Sequence, residues 1–226
     1  MATVVFMHVG PDVGPPEILV RSVRRHNPEM RIIQVTDQQS VEVAGVDEVV
    51  RTPRRHNNPM LFRMECFAAL PVLDETWFLD TDMIVRRPLE FIGEPTPVAV
   101  CRRDFGRDDL INPNFRGMDF REMTGQTFGQ RYPYLGCATR LETQQFWIDA
   151  LADMLALPPK FHNWYGDQDA IRNVVDSGRY PVGFLPERDY ACLPEYEHPQ
   201  APPLISHYKG QRKPLMLKQA AADGLI

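Results

Sequence analysis

The sequence predicts an α/β domain with a mostly parallel sheet flanked by helices. Short apolar runs typical of buried strands alternate with segments of helical spacing, and this alternation fills the first hundred residues. The length of 226 residues fits one domain, and an apolar content of 43% is enough for a sizeable core. We therefore expect a single domain over residues 1–226.

The individual elements follow from periodicity and from turn residues. Apolar and β-branched runs predict strands at 3–9, 31–35, 46–50, 77–79, 98–101, 181–185 and 204–207. Helical spacing predicts helices at 15–26, 59–70, 141–157 and 167–177, with a terminal helix from 214 onward. Asn58 is predicted to cap the second helix. Between 102 and 131 the pattern weakens, as is typical of a functional loop or lid.

Charge and cysteine usage argue against several classes of protein. The formal net charge of -5 gives no support to a dedicated nucleic-acid binder. The four cysteines lie far apart without a Cys-x-x-Cys pair, so we expect reduced core thiols. The N-terminus lacks the basic region of a signal peptide, and no apolar run reaches the roughly 18 residues of a membrane helix. The sequence therefore predicts a cytoplasmic protein without a transmembrane segment.

Two aspartates directly follow the predicted strand Trp77-Phe78-Leu79. Asp80 and Asp82, with Thr81 between them, lie at the carboxyl end of that strand, where open α/β sheets bind ligands. Carboxylates this close repel one another, and a divalent cation would resolve that conflict. The alternative is that both carboxylates cap a turn. The apolar run before them leaves the two interpretations balanced.

A second candidate site lies near the C-terminus, in His207-Tyr208-Lys209-Gly210-Gln211-Arg212-Lys213-Pro214. A neutral imidazole at His207 can supply a third metal ligand. Gly210 allows the backbone to approach a phosphate closely, and Lys213 can neutralise phosphate charge. Each residue alone fits an ordinary surface loop, but their joint spacing favours a metal and phosphate site.

Polar residues on two predicted helices complete the set of candidates. Asp167 suits an N-cap and Asp169 favours the helix dipole, which accounts for both acids structurally. Gln168 has no such structural role and can hydrogen-bond sugar hydroxyls. Arg63 lies off the apolar stripe of its helix, so solvent exposure is the simpler interpretation, and a contact to a diphosphate is the alternative.

Together these segments resemble glycosyltransferase family 8, the group of glycogenin and the bacterial lipopolysaccharide galactosyltransferases. The four matching segments are Leu61-Phe62-Arg63-Met64, Phe78-Leu79-Asp80-Thr81-Asp82-Met83-Ile84-Val85, Gly166-Asp167-Gln168-Asp169-Ala170-Ile171 and His207-x-x-Gly210-x-x-Lys213-Pro214. The resemblance implies the GT-A fold. It makes 1–100 the nucleotide-binding half and 101–226 the acceptor-side half with the closing metal and diphosphate motif.

The resemblance also implies the roles of individual residues. The metal, Mn²⁺ or Mg²⁺, would be held by Asp80, Asp82 and His207. The UDP-sugar donor would be bound by His8, Val9, Gly10, Arg63, Asp80, Thr81, Asp82, Gly210 and Lys213. Asp167 and Gln168 would lie at the donor sugar and its anomeric carbon, as the catalytic residues.

The implied reaction is transfer of a hexose to an acceptor with retention of configuration. The acceptor stays open between a glycan, a protein and another molecule, a nucleic acid included, and so does the oligomeric state. The chain departs from the family at Val9-Gly10-Pro11-Asp12-Val13, which lacks the Tyr that stacks on uracil. It departs again at Tyr134-Leu135-Gly136, where the family has an Asn-x-Gly strand.

Two other functions remain open at this stage. A haloacid-dehalogenase-like phosphatase also has a strand followed by an Asp-x-Asp nucleophile motif, which Phe78–Val85 fits. That motif normally opens the fold, however, and here about eighty residues precede it. The second alternative is a non-catalytic module that binds a nucleotide sugar.

Overall fold

The computed structural model describes residues 1–72, 74–162 and 164–226. Within these ranges the strands are β1 (Thr3–Met7), β2 (Arg31–Thr36), β3 (Glu48–Arg51), β4 (Thr76–Leu79), β5 (Met83–Val85), β6 (Val98–Arg102), β7 (Asn114–Phe115), β8 (Met118–Asp119), β9 (Tyr134–Leu141), β10 (Val182–Pro186) and β11 (Ile205–His207). The helices are α1 (Gly14–His26), α2 (Pro59–Ala69), α3 (Phe128–Arg131), α4 (Gln145–Ala156), α5 (Gly166–Asp176), α6 (Glu187–Tyr190) and α7 (Lys213–Ala222).

Seven of the strands in these ranges form the central sheet, in the order β10-β6-β9-β4-β1-β2-β3. Neighbouring strands are parallel, except where β9 pairs with β4 and with β6. The predicted mostly parallel sheet is therefore confirmed. The parallel strands end at one edge of the sheet, and β9, which runs the opposite way, begins there.

Helices cover both faces of the sheet. Along β1, Val4 and Phe6 belong to the core cluster that includes Leu19 of α1, whereas Val5 belongs to the cluster on the other face. This alternation follows from the two-residue period of a strand. The second cluster contains apolar residues of α2, α4 and α5, with the fully buried Trp147 among them.

A separate two-stranded ribbon carries the C-terminal motif to the sheet edge. Strand β11 pairs antiparallel with β5, and the register sets His207 opposite Met83. The backbone N–H of Tyr208 donates to the carbonyl of Asp82 at 2.8 Å. On the other side of the ribbon, Ser22 of α1 accepts from the N–H of Val85 at 3.0 Å. The ribbon thus fixes His207 beside the turn that follows β4.

The long strand β9 is the main correction to the predicted elements. Helical spacing was expected from Leu141, but Leu141 ends β9 and α4 begins at Gln145. Gly136 weakens the strand pattern, and Arg140 interrupts its apolar run. Arg140 is nonetheless buried, because its guanidinium donates to the carbonyl of Thr96 at 2.6 Å and pairs with two glutamates.

The segment 102–131 is more ordered than the predicted long connection. It contains the β7–β8 hairpin, a 3₁₀ turn and α3. Its apolar side chains Phe120 and Met123 form a cluster with Tyr132, Phe161 and Tyr165. Tyr132 and Tyr165 stack at 4.8 Å between ring centroids. The segment therefore packs as a cover over the region before α5.

The structure also bears on the predictions about the cysteines and about membrane-spanning helices. All four cysteines are free and buried, as expected for core thiols. Among the described residues, no helix is long and apolar enough to cross a membrane.

Candidate functional site

The aspartates after β4 and the histidine of β11 converge at the carboxyl edge of the sheet. Nε2 of His207 lies 3.2 Å from Oδ1 of Asp82. One ligand atom each from Asp80, Asp82 and His207 can be chosen so that all three lie within 4.8 Å of one another. Residues more than 120 positions apart in the sequence therefore share one site, as the sequence hypothesis requires.

The three groups differ in how readily they ionise. Burial raises the pKa of Asp80 to about 6, even though Arg63 opposes this effect. Burial also disfavours ionised Asp82, but the hydrogen bond and charge of His207 hold the pKa of this carboxyl below its usual value. Burial alone would lower the pKa of His207, yet Cys137 and Asp82 beside the ring raise it to about 10. The site is therefore a mostly buried cluster of interacting charges.

Arg63 joins this cluster to the start of α5. Its Nη1 donates to Oδ1 of Asp80 at 2.7 Å, and its Nη2 donates to Oδ2 of Asp167 at 2.5 Å. Only 7% of Arg63 is exposed, so the expectation of a solvated side chain is wrong. Asp167 does not cap α5 either. It lies inside the first turn, and its buried carboxylate is turned toward Arg63.

The chain reaches α5 through a constrained turn. Tyr165, which precedes the helix, has a φ of +68°, a value uncommon for a non-glycine residue. Gly166 packs so closely on the backbone of Phe161 that a Cβ would lie 2.2 Å from the carbonyl oxygen. This close contact between Gly166 and Phe161 positions the start of α5, with Asp167 and Gln168, at the edge of the sheet.

Gly136 of β9 leaves the space that the Arg63–Asp167 pair occupies. A Cβ at this position would lie 2.8 Å from Oδ2 of Asp167 and 2.9 Å from Nη2 of Arg63. We expect Gly136→Ala to lower the free energy of unfolding by about 1–3 kcal/mol, because the ion pair must shift. Urea denaturation measures the effect. Gly14→Ala is the control, since its Cβ would have its nearest neighbour at 3.4 Å, and equal stability of the two variants would contradict the prediction.

A cavity opens over these groups. The described residues that line it are Met60, Arg63, Asp80, Asp82, Arg103, Leu135, Gly136, Cys137, Trp164, Asp167, Gln168, His207 and Lys209. They come from α2, the ends of β4, β6 and β11, the start of β9 and the start of α5. The metal candidates and the candidate sugar-binding residues therefore share one cavity.

Sequence reasoning missed two charged residues that line this cavity and a buried glutamate beside one of them. Arg103 follows β6, and Lys209 follows β11. Glu187 follows β10 and is fully buried, where it accepts from the backbone N–H groups of Asp104 and Phe105 at 2.9 Å and from Lys209 at 3.2 Å. For Arg103 and Glu187, the available signal was a charged residue directly after a parallel strand, since such strands end at the same edge.

The other predicted donor-binding residues lie around the cavity. His8, Val9 and Gly10 follow β1 at the same edge, and the imidazole of His8 lies 3.0 Å from the carbonyl of Gly10. Thr81 is half-buried in the turn between β4 and β5. None of these four is among the described residues that line the cavity.

The end of the closing motif is open to solvent. Gly210 is exposed, with a φ of +66°, and begins a 3₁₀ turn that leads into α7. Lys213 is the first residue of α7, with Nζ 4.0 Å from Oδ2 of Asp82. Both residues lie outside the described lining of the cavity, and Lys213 reaches its rim.

Comparison with solved structures shows that the overall fold matches that of known proteins. A crystal structure of galactosyltransferase LgtC, in complex with donor and acceptor sugar analogs, superimposes with a TM-score of 0.60 and 14% sequence identity. The match covers 99% of this chain and 100% of LgtC. The chain has the fold of galactosyltransferase LgtC. The GT-A fold that the sequence resemblance implies is therefore confirmed.

A second structure agrees with this result. An active-site mutant of LgtC matches with a TM-score of 0.60 and 14% identity, over 97% of this chain and 95% of that one. No family model matches the sequence, and no curated protein matches it. The likeness to LgtC is therefore one of fold across the whole chain.

Within this LgtC-like fold, the donor set fits a divalent cation. Two carboxylates that follow β4 and one imidazole at the end of β11 supply two hard oxygens and one nitrogen, all within 4.8 Å of one another. Magnesium and manganese prefer such oxygens, and an imidazole is also a good ligand for a transition ion. Burial raises the pKa of Asp80, and the like charge of Asp82 adds to this effect. The protein therefore has an electrostatic reason to hold a cation here.

Proposed function

We propose that this protein is a metal-dependent glycosyltransferase that transfers a hexose from a nucleotide sugar, a UDP-sugar, to an acceptor. The convergence of Asp80, Asp82 and His207 in a cavity of an LgtC-like fold carries this proposal. LgtC supports it further, because its structure contains donor and acceptor sugar analogs. In the proposed division of the chain, 1–100 binds the nucleotide and 101–226 forms the acceptor side.

The metal ligands would be Asp80, Asp82 and His207, with Mn²⁺ or Mg²⁺ as the ion. When bound, the ion supplies positive charge that stabilises the leaving diphosphate. Lys213 at the rim would add charge to the same phosphates, and Gly210 would let the backbone approach them. His8, Val9, Gly10 and Thr81 would serve the nucleotide end of the donor.

Arg63 would act by positioning rather than by direct contact. Two of its nitrogens already donate to Asp80 and Asp167, so it holds a metal ligand and a sugar-side carboxylate in fixed relation. Such preorganisation reduces the reorganisation needed in the transition state. Oδ1 of Asp167 is buried without a hydrogen-bond partner among the described residues, which suits it to accept from a sugar hydroxyl.

Gln168 would orient the donor sugar. Its Oε1 accepts from Nη2 of Arg103 at 2.8 Å, and its amide NH₂, without a partner among the described residues, can donate toward the cavity that Gln168 lines. Asp167 and Gln168 would thus face the anomeric carbon as it gains positive charge. By resemblance, transfer would retain the configuration. The segment 103–131 would close over the donor and exclude water, limiting hydrolysis.

Binding of UDP tests this function directly. Isothermal titration calorimetry should detect UDP binding that depends on Mn²⁺ and disappears with a chelator. UDP release from UDP-glucose or UDP-galactose should show the same metal dependence. Metal-dependent binding without UDP release, over a panel of acceptors, would instead favour the non-catalytic binding module.

The phosphatase alternative has a separate test. In the structure Asp80 follows the fourth strand of the chain and accepts a hydrogen bond from Arg63, and the fold is that of LgtC. These observations favour the transferase. We expect no metal-dependent hydrolysis of p-nitrophenyl phosphate, and robust hydrolysis lost in Asp80→Asn would reverse the assignment.

A further inference from the structure

Arg103 places a buried positive charge in the wall of the cavity. It directly follows β6, and only 9% of it is exposed. Its Nε donates to the carbonyl of Tyr132 at 2.8 Å, and its Nη2 donates to Oε1 of Gln168 at 2.8 Å. The guanidinium also lies 5.0 Å from the ring centroid of Phe128. These contacts fix its position beside the residue proposed to orient the sugar.

Among the described residues, the guanidinium of Arg103 has no carboxylate partner. Both of its hydrogen-bond acceptors are neutral, and within the described ranges no acidic oxygen lies within 4.0 Å of it. Its Nη1 makes no hydrogen bond to a described residue. A buried charge without a counter-charge costs several kcal/mol. Burial accordingly lowers the pKa of Arg103, and Glu187 offsets this only in part.

The other cations that line the cavity do have anionic partners. Arg63 pairs with Asp80 and Asp167, and Lys209 pairs with Glu187. Glu187 also accepts hydrogen bonds from two backbone N–H groups, so its charge is stabilised by these donors and by Lys209. A divalent ion bound by Asp80 and Asp82 would neutralise the negative charge of these two carboxylates. Arg103 is therefore the lining cation whose charge the described residues leave uncompensated.

We propose that Arg103 binds a carboxylate carried by the sugar substrate, so that the enzyme acts on an acidic sugar such as a hexuronate. The proposal rests on the function proposed above and names its substrate class. A guanidinium offers a planar pair of N–H donors that match the two oxygens of a carboxylate. Nη1, which has no hydrogen-bond partner within the described ranges, can begin that contact next to Gln168. The carboxylate can belong to the donor sugar or to the acceptor sugar.

Equilibrium binding distinguishes these two sources. In the donor arm, calorimetry with Mn²⁺ compares UDP-glucuronate with UDP-glucose and UDP-galacturonate with UDP-galactose. In the acceptor arm, glucuronate is compared with glucose in the presence of UDP and Mn²⁺. We expect the acidic sugar to bind about 10- to 100-fold more tightly in one arm, as a charge-assisted pair of hydrogen bonds would give.

Variants then assign the preference to Arg103. Arg103→Gln should reduce the acidic-to-neutral ratio to about one, and Arg103→Lys should keep part of it because the charge remains. Arg102→Gln is the matched control, because the neighbouring Arg102 is exposed and its guanidinium lies over the ring of Phe184 instead. Arg102→Gln should leave the ratio unchanged.

Three outcomes overturn the proposal. If UDP and Mn²⁺ bind but neither arm prefers the acidic sugar, the carboxylate subsite is wrong and the proposed function survives. If the preference persists in Arg103→Gln, another residue carries it. If UDP does not bind with Mn²⁺ at all, the proposed function fails and the subsite with it. If Arg103→Gln does not fold, Arg103→Lys keeps the assignment testable, because an undiminished acidic-to-neutral ratio in that variant would contradict a role for the planar guanidinium.

Discussion

Replacing Asp82 with Asn is expected to reduce metal-dependent UDP release by about 10²- to 10³-fold, the range found when one strong electrostatic contact to a transition state is lost. Asp82 is a proposed ligand, and its carboxylate also holds the ring of His207 at 3.2 Å. The amide has nearly the same shape, so the variant removes the charge while changing the packing little. The measurement is the rate of UDP release from a nucleotide sugar at saturating Mn²⁺.

Asp74→Asn is the control for this experiment. Asp74 lies just before β4, at the opposite end from Asp80, and makes an exposed ion pair with the N-terminal amine. Exposed pairs of this kind contribute little, so the control should release UDP like the wild type. Full metal-dependent activity in Asp82→Asn would contradict the proposed metal site.

Replacing Arg63 with Met is expected to lower the free energy of unfolding by about 3–5 kcal/mol. Methionine fills a similar length but cannot pair with Asp80 or Asp167. The buried carboxylate of Asp167 and the partly buried carboxylate of Asp80 would then lose their guanidinium partner, which is more costly than losing a surface contact. Urea denaturation, followed by circular dichroism at fixed pH without added metal, measures this difference.

Arg31→Met is the matched control for Arg63→Met. Arg31 also pairs with a carboxylate, that of Glu48, but both side chains are more than 40% exposed. The loss of such a surface pair should cost no more than about 1 kcal/mol. If the two substitutions destabilise the protein equally, Arg63 does not carry the buried charges as its geometry indicates.

The sequence predicted the site better where its signals were local. Asp80 and Asp82 stand directly after an apolar run, and His207 belongs to a motif of recognisable spacing. Their proximity in the structure agrees with the hypothesis that they act together. Arg103 has no such motif around it. Its position at the cavity depends on the place of β6 within the central sheet, which the local sequence does not indicate.

Strand β9 is an element of the fold that the local sequence pattern did not predict. Gly136 and Arg140 disturb its alternating pattern. The helical spacing of 141–157 also led to a predicted helix that begins four residues before α4 does. In the structure Gly136 makes room for the Arg63–Asp167 pair, and Arg140 finds acceptors from neighbouring segments. Residues that serve distant partners weaken the local pattern from which a strand is predicted.

The sequence by itself determined the α/β class, most of the helices and strands, the cap of α2 at Asn58, and the pair of aspartates at a strand end. These features depend on side chains within a few positions of one another, through strand and helix periodicity and through capping. Only the tertiary structure decided which charges meet. Arg63 finds its two carboxylates 17 and 104 positions away, and Arg103 finds none in the part of the chain that the structure describes. Charge pairing depends on distance in space, which sequence spacing does not encode.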